Sequence, residues 1–235
     1  MKALAFAVTL SLTLAIAVVA QDSKPSPKSN GASRQPTEAA ANIDVAAIQK
    51  KIDLLSSAIR KDPKNDAMYG ARGQGYKRIG DYEKALADLT TAISLNPNRQ
   101  AYFEIRGNTY GELKRYKEAC ADYTKALNCG TPTYGLYLRQ GQTALLLHDY
   151  KAANQSAQSA LRLKDDDFEA LVLLAGAEQN LGMLSESLKH LSKAIELNPK
   201  DGGAFSMRAE TYRALGKNDL ALQDKLKASQ LGFKK

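Results

Sequence analysis

The chain has 235 residues, of which 44% are hydrophobic and 25% charged, with no Trp and 5 Phe. That is an ordinary globular composition, and it excludes a disordered, collagen-like or disulfide-framework protein. The formal net charge is +8, but Lys and Arg are scattered, interleaved with Asp and Glu and never more than two in a row, so the charge implies a solvated surface and no nucleic-acid partner.

In chain order, Lys2 is followed by an almost wholly apolar stretch, residues 3–19, that closes on the small residues Val18, Val19 and Ala20. This pattern reads as a signal peptide over residues 1–20, cleaved after Ala20, and hence as an exported protein of the bacterial periplasm or the extracellular space. The alternative is an uncleaved N-terminal membrane anchor, because the run sits at the short end of the ~20 residues that span a bilayer. Residues 21–37 carry Ser, Pro, Lys and Gly with little to bury, and read as a flexible linker. Residues 38–65 form an N-terminal capping helix. Its apolar residues Val45, Ile48, Ile52, Leu55 and Ile59 advance by threes and fours along one stripe.

From Asp66 onward the sequence repeats itself every 34 residues. Ala92, Ala126, Ala160, Ala194 and Ala228 form one column. Ala85, Ala119, Ala153 and Ala221 form a second, with Ser187 in the gap. Gly73, Gly107 and Gly141 form a third, continued by Ala175 and Ala209. Counting position 1 at Asp66 gives units 66–99, 100–133, 134–167, 168–201 and 202–235, with no insertion. In the first unit two helices are expected, at about 67–79 and 82–95, separated by Gly80 and Asp81 and stopped before Pro97. The small residues at positions 8, 20 and 27 let two helix backbones approach closely. Arg72, Arg106 and Arg208 at position 7 accompany Asp88, Asp122 and Asp224 at position 23, whereas Gln140 and Leu174 accompany Ser156 and His190. An Arg–Asp pair joining the two helices of a unit is therefore expected. In the last unit Lys225 and Ser229 replace apolar residues of the earlier ones, as in a polar end cap.

The signature Tyr69, Gly73, Tyr76, Ala85, Leu89, Ala92 and Pro97, matched in the second unit by Phe103, Gly107, Tyr110, Ala119, Tyr123 and Ala126, resembles the tetratricopeptide repeat family. The third and fourth units depart most, with Ala144, Ala157 and Glu178 out of pattern. The resemblance implies an all-α fold, a right-handed α-solenoid of stacked antiparallel helical hairpins. It also implies a concave groove lined by positions 2, 5, 9, 12 and 13 of each first helix. Here that face gives Gln74, Lys77, Arg78, Glu104, Asn108, Leu138, Gln142, Leu145, Val172, Gln179 and Asn180. The expected arrangement is an apolar centre of Leu138, Leu145 and Val172, flanked by amides and charges, that binds a protein or peptide. Some family members grip a C-terminal carboxylate with Lys at position 5 and Asn at position 9. Asn108 fits, but Glu104 would repel a carboxylate, so no such clamp is expected.

Nothing in the chain points to catalysis, a cofactor or a small-molecule substrate. His148 and His190 fall in different units and make no zinc spacing with Cys120 and Cys129. Nine residues along a helix separate the two cysteines by ~13 Å, beyond the ~7 Å of a disulfide. Gly73-Gln74-Gly75 has Arg78 where a nucleotide loop needs its third Gly. Residues 165–167 read as an acidic helix start, with Asp166 and Glu169 as a capping box. The function expected is an exported interaction module or adaptor. The alternative is a structural subunit of an envelope-associated complex that makes contact through the array's ends or convex face.

Overall fold

A computed structural model describes residues 38–233, with side chains from residue 45 onward. The expected signal peptide and linker, residues 1–37, lie outside the described residues. The described residues form eleven α-helices and no strand. They divide into two compact units, residues 38–132 and 133–233.

The first unit holds α1 (Glu38–Lys61), then the hairpin α2 (Asp66–Arg78) and α3 (Tyr82–Leu95), then the hairpin α4 (Gln100–Glu112) and α5 (Tyr116–Cys129). The second unit is three hairpins: α6 (Tyr134–Leu146) with α7 (Tyr150–Leu163), α8 (Phe168–Leu181) with α9 (Leu184–Leu197), and α10 (Gly202–Ala214) with α11 (Asn218–Gln230). Each hairpin lies inside one 34-residue unit, and the expected limits of its helices in the first unit hold to within one residue. The fold is a series of consecutive helical hairpins, as the repeat period requires.

The first helix of each hairpin stops in the same way. Position 15 takes a left-handed backbone conformation at Gly80, Lys114, His148, Gly182 and Gly216, with φ between 57° and 83°. In the second hairpin the Lys114 amide donates to the Gly111 carbonyl and the Arg115 amide to the Tyr110 carbonyl, each at 2.9 Å. These paired bonds satisfy carbonyls left over at a helix end. Three starts are sealed by Asp149, Asp167 and Asp201, whose carboxylates accept from the backbone amide three residues on. The cap of α8 is thus Asp167, one residue later than the expected Asp166, which instead carries φ 53° ahead of the helix.

The small columns are where helices meet. Ala85, Ala92, Ala119, Ala126, Ala153, Ala160 and Ala194 have no accessible surface, and Ala228 has 3%; Ala221 is the exception, half-buried. A Cβ on Gly73 would lie 2.9 Å from Leu89, one on Gly107 2.9 Å from Tyr123, and one on Gly141 2.8 Å from Leu173. Those distances leave no room for a methyl group. In α1, Ile48, Ile52 and Ile59 are buried, Leu55 is half-buried and Val45 is exposed. A Cβ on Gly75 would lie 3.0 Å from Ile52, so α1 lies against α2, as α3 lies against α4, α7 against α8 and α9 against α10.

Candidate interaction surface

Three hairpins share one electrostatic joint. Arg72, Arg106 and Arg208 each donate through Nε and Nη2 to both oxygens of Asp88, Asp122 and Asp224, at 2.7 to 2.9 Å. The carboxylates are buried and the fork geometry is bidentate. Burial of Arg106 and Arg208 opposes their charge, but the aspartate hydrogen bond is the larger influence and raises both above the ordinary arginine value. Each Arg also reaches back to the preceding second helix, through Nη1 to Ser56, Thr90 or Ser192 at 3.0 to 3.1 Å. A single side chain thereby ties three helices together. The expected pairing is present in all three units.

Where the pair is missing, neutral or buried groups replace it. Ser156 donates to Gln140 at 2.9 Å. In the fourth repeat Leu174 stands at position 7, and His190 Nδ1 lies 2.8 Å from Glu178 Oε2. Glu178 is 2% exposed, and burial pushes its carboxyl up while the histidine contact partly opposes the shift. Outside this pair a cleft of about 730 Å³ opens, lined by Leu161, Leu171, Lys189, His190 and the Lys193–Asp166 ion pair among others.

The first-helix face divides between the two units. In residues 38–132, Gln74 and Arg78 on α2 are exposed and Lys77 is half-buried, while Glu104 and Asn108 on α4 are half-buried. Gly70 brings the two helices together: a Cβ there would lie 2.3 Å from the Tyr102 ring. Tyr102 donates through its hydroxyl to Asp66 at 2.7 Å. That hydrogen bond is the main reason the Asp66 carboxyl titrates below its usual range. Burial, with Asp66 second, pushes the Tyr102 phenol up to about 12. Beside them Tyr123 donates to Asn108 Oδ1 at 2.9 Å and orients the amide. A Cβ on Gly111 would meet only the Tyr123 hydroxyl, at 3.9 Å, so open space adjoins Asn108.

In residues 133–233 the expected apolar centre is not on the surface. Leu138, Leu145 and Val172 are 7%, 4% and 8% exposed and belong to the core cluster. Gln179 is also buried, donating to the Met207 carbonyl at 2.8 Å and to Thr211 Oγ1 at 2.5 Å. Gln142 is half-buried, as is Asn180, whose amide donates to the Gly176 carbonyl of its own helix at 2.9 Å. The reason is register. Position 5 faces position 3 of the following first helix, as Gly70 faces Tyr102. A large residue at position 3 is met by Gly70, whereas the small Ala170 and Ala204 stand at position 3 after Leu138 and Val172. Position 5 is therefore part of the seam between first helices in this unit. The signal was present in α8, where residues 170–177 are apolar without interruption; such a helix is buried all round.

Among the described residues no group of three or more His, Cys, Asp or Glu is placed to hold a metal ion, and no helix is long and apolar enough to cross a membrane. Cys120 and Cys129 are half-buried and are not joined in a disulfide.

Sequence profiles described as tetratricopeptide repeat match residues 68–99, 101–128, 168–201 and 190–223. No curated protein matches the sequence at a significant level. Among solved structures, YrrB, described as a TPR protein with an unusual peptide-binding site, superposes with a TM-score of 0.70 at 26% identity, over 75% of this chain and 91% of that one. A tetratricopeptide repeat protein from Parabacteroides merdae superposes with a TM-score of 0.64 at 25% identity, over 80% of this chain and 75% of its own. MamA from Desulfovibrio magneticus RS-1 gives 0.67 at 20% identity, over 71% and 94%, a likeness of fold.

Proposed function

The chain belongs to the tetratricopeptide repeat family, whose arrays are typically non-enzymatic protein-interaction modules, and on that premise we propose that it is an exported adaptor that binds a peptide or protein segment along α2 and α4. The observation that carries this reading is the open space over Gly111 beside an amide oriented by Tyr123. An extended peptide needs such a place, where its backbone can approach a fixed amide without meeting a side chain. Lys77 and Arg78 on one helix and Glu104 and Glu112 on the other offer both signs of charge to the partner's side chains. The peptide-binding site attributed to YrrB supports the same use of this fold. Export rests on the apolar start of the chain and the small residues before Gln21.

A photo-crosslinking amino acid placed at Gln74 in the living cell tests the groove, with the same group at Glu83 on the second helix as control. A discrete adduct from position 74 and none from position 83 is the expected result. Adducts from position 83 alone would move the partner to the other face. Intact mass of the exported chain tests processing: the expected N-terminus is Gln21, and retention of residues 1–20 would replace the exported form with a membrane-anchored one.

A further inference from the structure

We propose that the outer face of α11 is a second docking surface, separate from the α2/α4 groove, for an amphipathic helix of a partner protein seated in the place that a following first helix would take. The repeats themselves define that place. Where a second helix lies under the next first helix, position 21 meets position 10 and position 25 meets position 7. Ile52 packs on Gly75, and Ser56 receives the Arg72 guanidinium. Leu86 is buried at position 21, while Thr90 and Ser192 receive Arg106 and Arg208 at position 25. In α11 these two positions are Leu222 and Leu226, and they are 58% and 56% exposed. The expected polar cap is only half present: Lys225 and Ser229 are exposed as anticipated, but Leu222 and Leu226 stand out beside them.

The same contacts specify the occupant. Leu226 stands where the other joints need a hydroxyl to accept from Arg, so the incoming helix carries an apolar residue at that point. Position 10 is Gly75, Thr109, Thr143, Ala177 or Thr211 in this chain, so a small residue follows three places later. Among the described residues one helix is of that kind: α8, with Leu174 and Ala177, lying on α7 where position 25 is Gln158 and not Ser or Thr. The rim is basic. Lys217, Lys225 and Lys227 are exposed around the leucines, Asp219 is the one exposed carboxylate of α11, and Asp224 is consumed by Arg208. An acidic flank on the incoming helix completes the match.

The probe is a fluorescent, glutamate-flanked peptide with the sequence of residues 168–181, titrated into the full chain by anisotropy. Binding to the native chain is expected, with a loss of about tenfold or more on Leu222→Lys with Leu226→Lys, and none on Asn108→Ala in the groove. A peptide carrying Leu174→Arg should bind the native chain more weakly, and Leu226→Ser, which restores the hydroxyl acceptor, should reverse that preference. Circular dichroism confirms that each variant keeps its helices. Equal binding of both peptides to both chains overturns the proposal, as does undiminished binding to the double-lysine variant. Sedimentation of the chain alone as a dimer that the double-lysine variant dissolves would overturn it in favour of a second copy. Leucine-dependent binding to phosphatidylserine vesicles without peptide binding would overturn it in favour of a lipid surface.

Discussion

Arg106 donates to both carboxylate oxygens of Asp122, at 2.7 and 2.8 Å, and its remaining nitrogen donates to Thr90 on the helix before, at 3.1 Å. The Asp122 side chain is 6% exposed and that of Arg106 17%. A pair held this far from water contributes little relative to a neutral pair of the same shape, but removing one partner strands the other.

The chain supplies its own neutral replacement, since Gln140 and Ser156 occupy the same two positions and hydrogen-bond to each other. Asp122→Ser alone is expected to destabilise by about 3 kcal/mol, because it leaves the guanidinium without its counter-charge. Adding Arg106→Gln should recover most of that loss by transplanting the third repeat's pair. Chemical unfolding of the wild type, both single variants and the double variant measures the coupling. Additive losses in the double variant would mean that the two side chains contribute independently and that the joint adds nothing as a pair.

Much of this joint could be read in the sequence, because a period of fixed length converts co-occurrence of Arg and Asp into contact. The hydroxyl at position 25 was equally available: Ser56, Thr90 and Ser192 each precede an Arg by 16 residues. The exposure of position 5 was not legible from one unit at a time. Whether Leu138 lines a groove or a seam depends on the size of Ala170 in the next first helix, a relation between units that a helical wheel of one unit does not contain.

That correction has a direct test. Leu138→Asp places a carboxylate in the core of residues 133–233, where burial of an unpaired charge costs several kcal/mol or forces its protonation (about 2 kcal/mol or more either way). Loss of helicity in that unit is expected, read by circular dichroism and by protease sensitivity mapped to residues 133–233. Retention of full helicity and melting temperature would return Leu138 to the surface and restore the apolar groove centre.

The hairpin turns give a prediction of opposite sign. Lys114 and His148 hold φ of 57° and 60° at the position where three other units have Gly. The left-handed region costs a residue with a side chain about 1 kcal/mol relative to Gly, less the greater freedom Gly has when unfolded. Lys114→Gly and His148→Gly should each raise the melting temperature slightly, whereas Gly182→Ala should lower it by a comparable amount. Scanning calorimetry of the three variants checks the signs. A decrease on both Gly insertions would show that His148 and Lys114 contribute through their side chains, for example by the 3.0 Å contact of His148 Nδ1 with the Tyr150 hydroxyl.

Glu178 carries the pH dependence that is easiest to isolate. Burial raises its carboxyl above the ordinary value, and the His190 contact opposes but does not reverse this. The folded state therefore holds its proton more tightly than the unfolded chain does. By linkage, the associated stability is fully present below the unfolded carboxyl's ordinary value, about 4.3, and declines as pH rises through the higher folded value. Glu178→Gln keeps an oxygen that can accept from His190 but has no charge to bury. The variant should match the wild type near pH 4 and gain on it as pH rises toward neutrality. Thermal melts of both proteins between pH 4 and pH 8 measure the difference. A variant that loses stability as pH rises would mean that an ionised Glu178, held by a protonated His190, is the stabilising form, and that the pair acts as a buried ion pair.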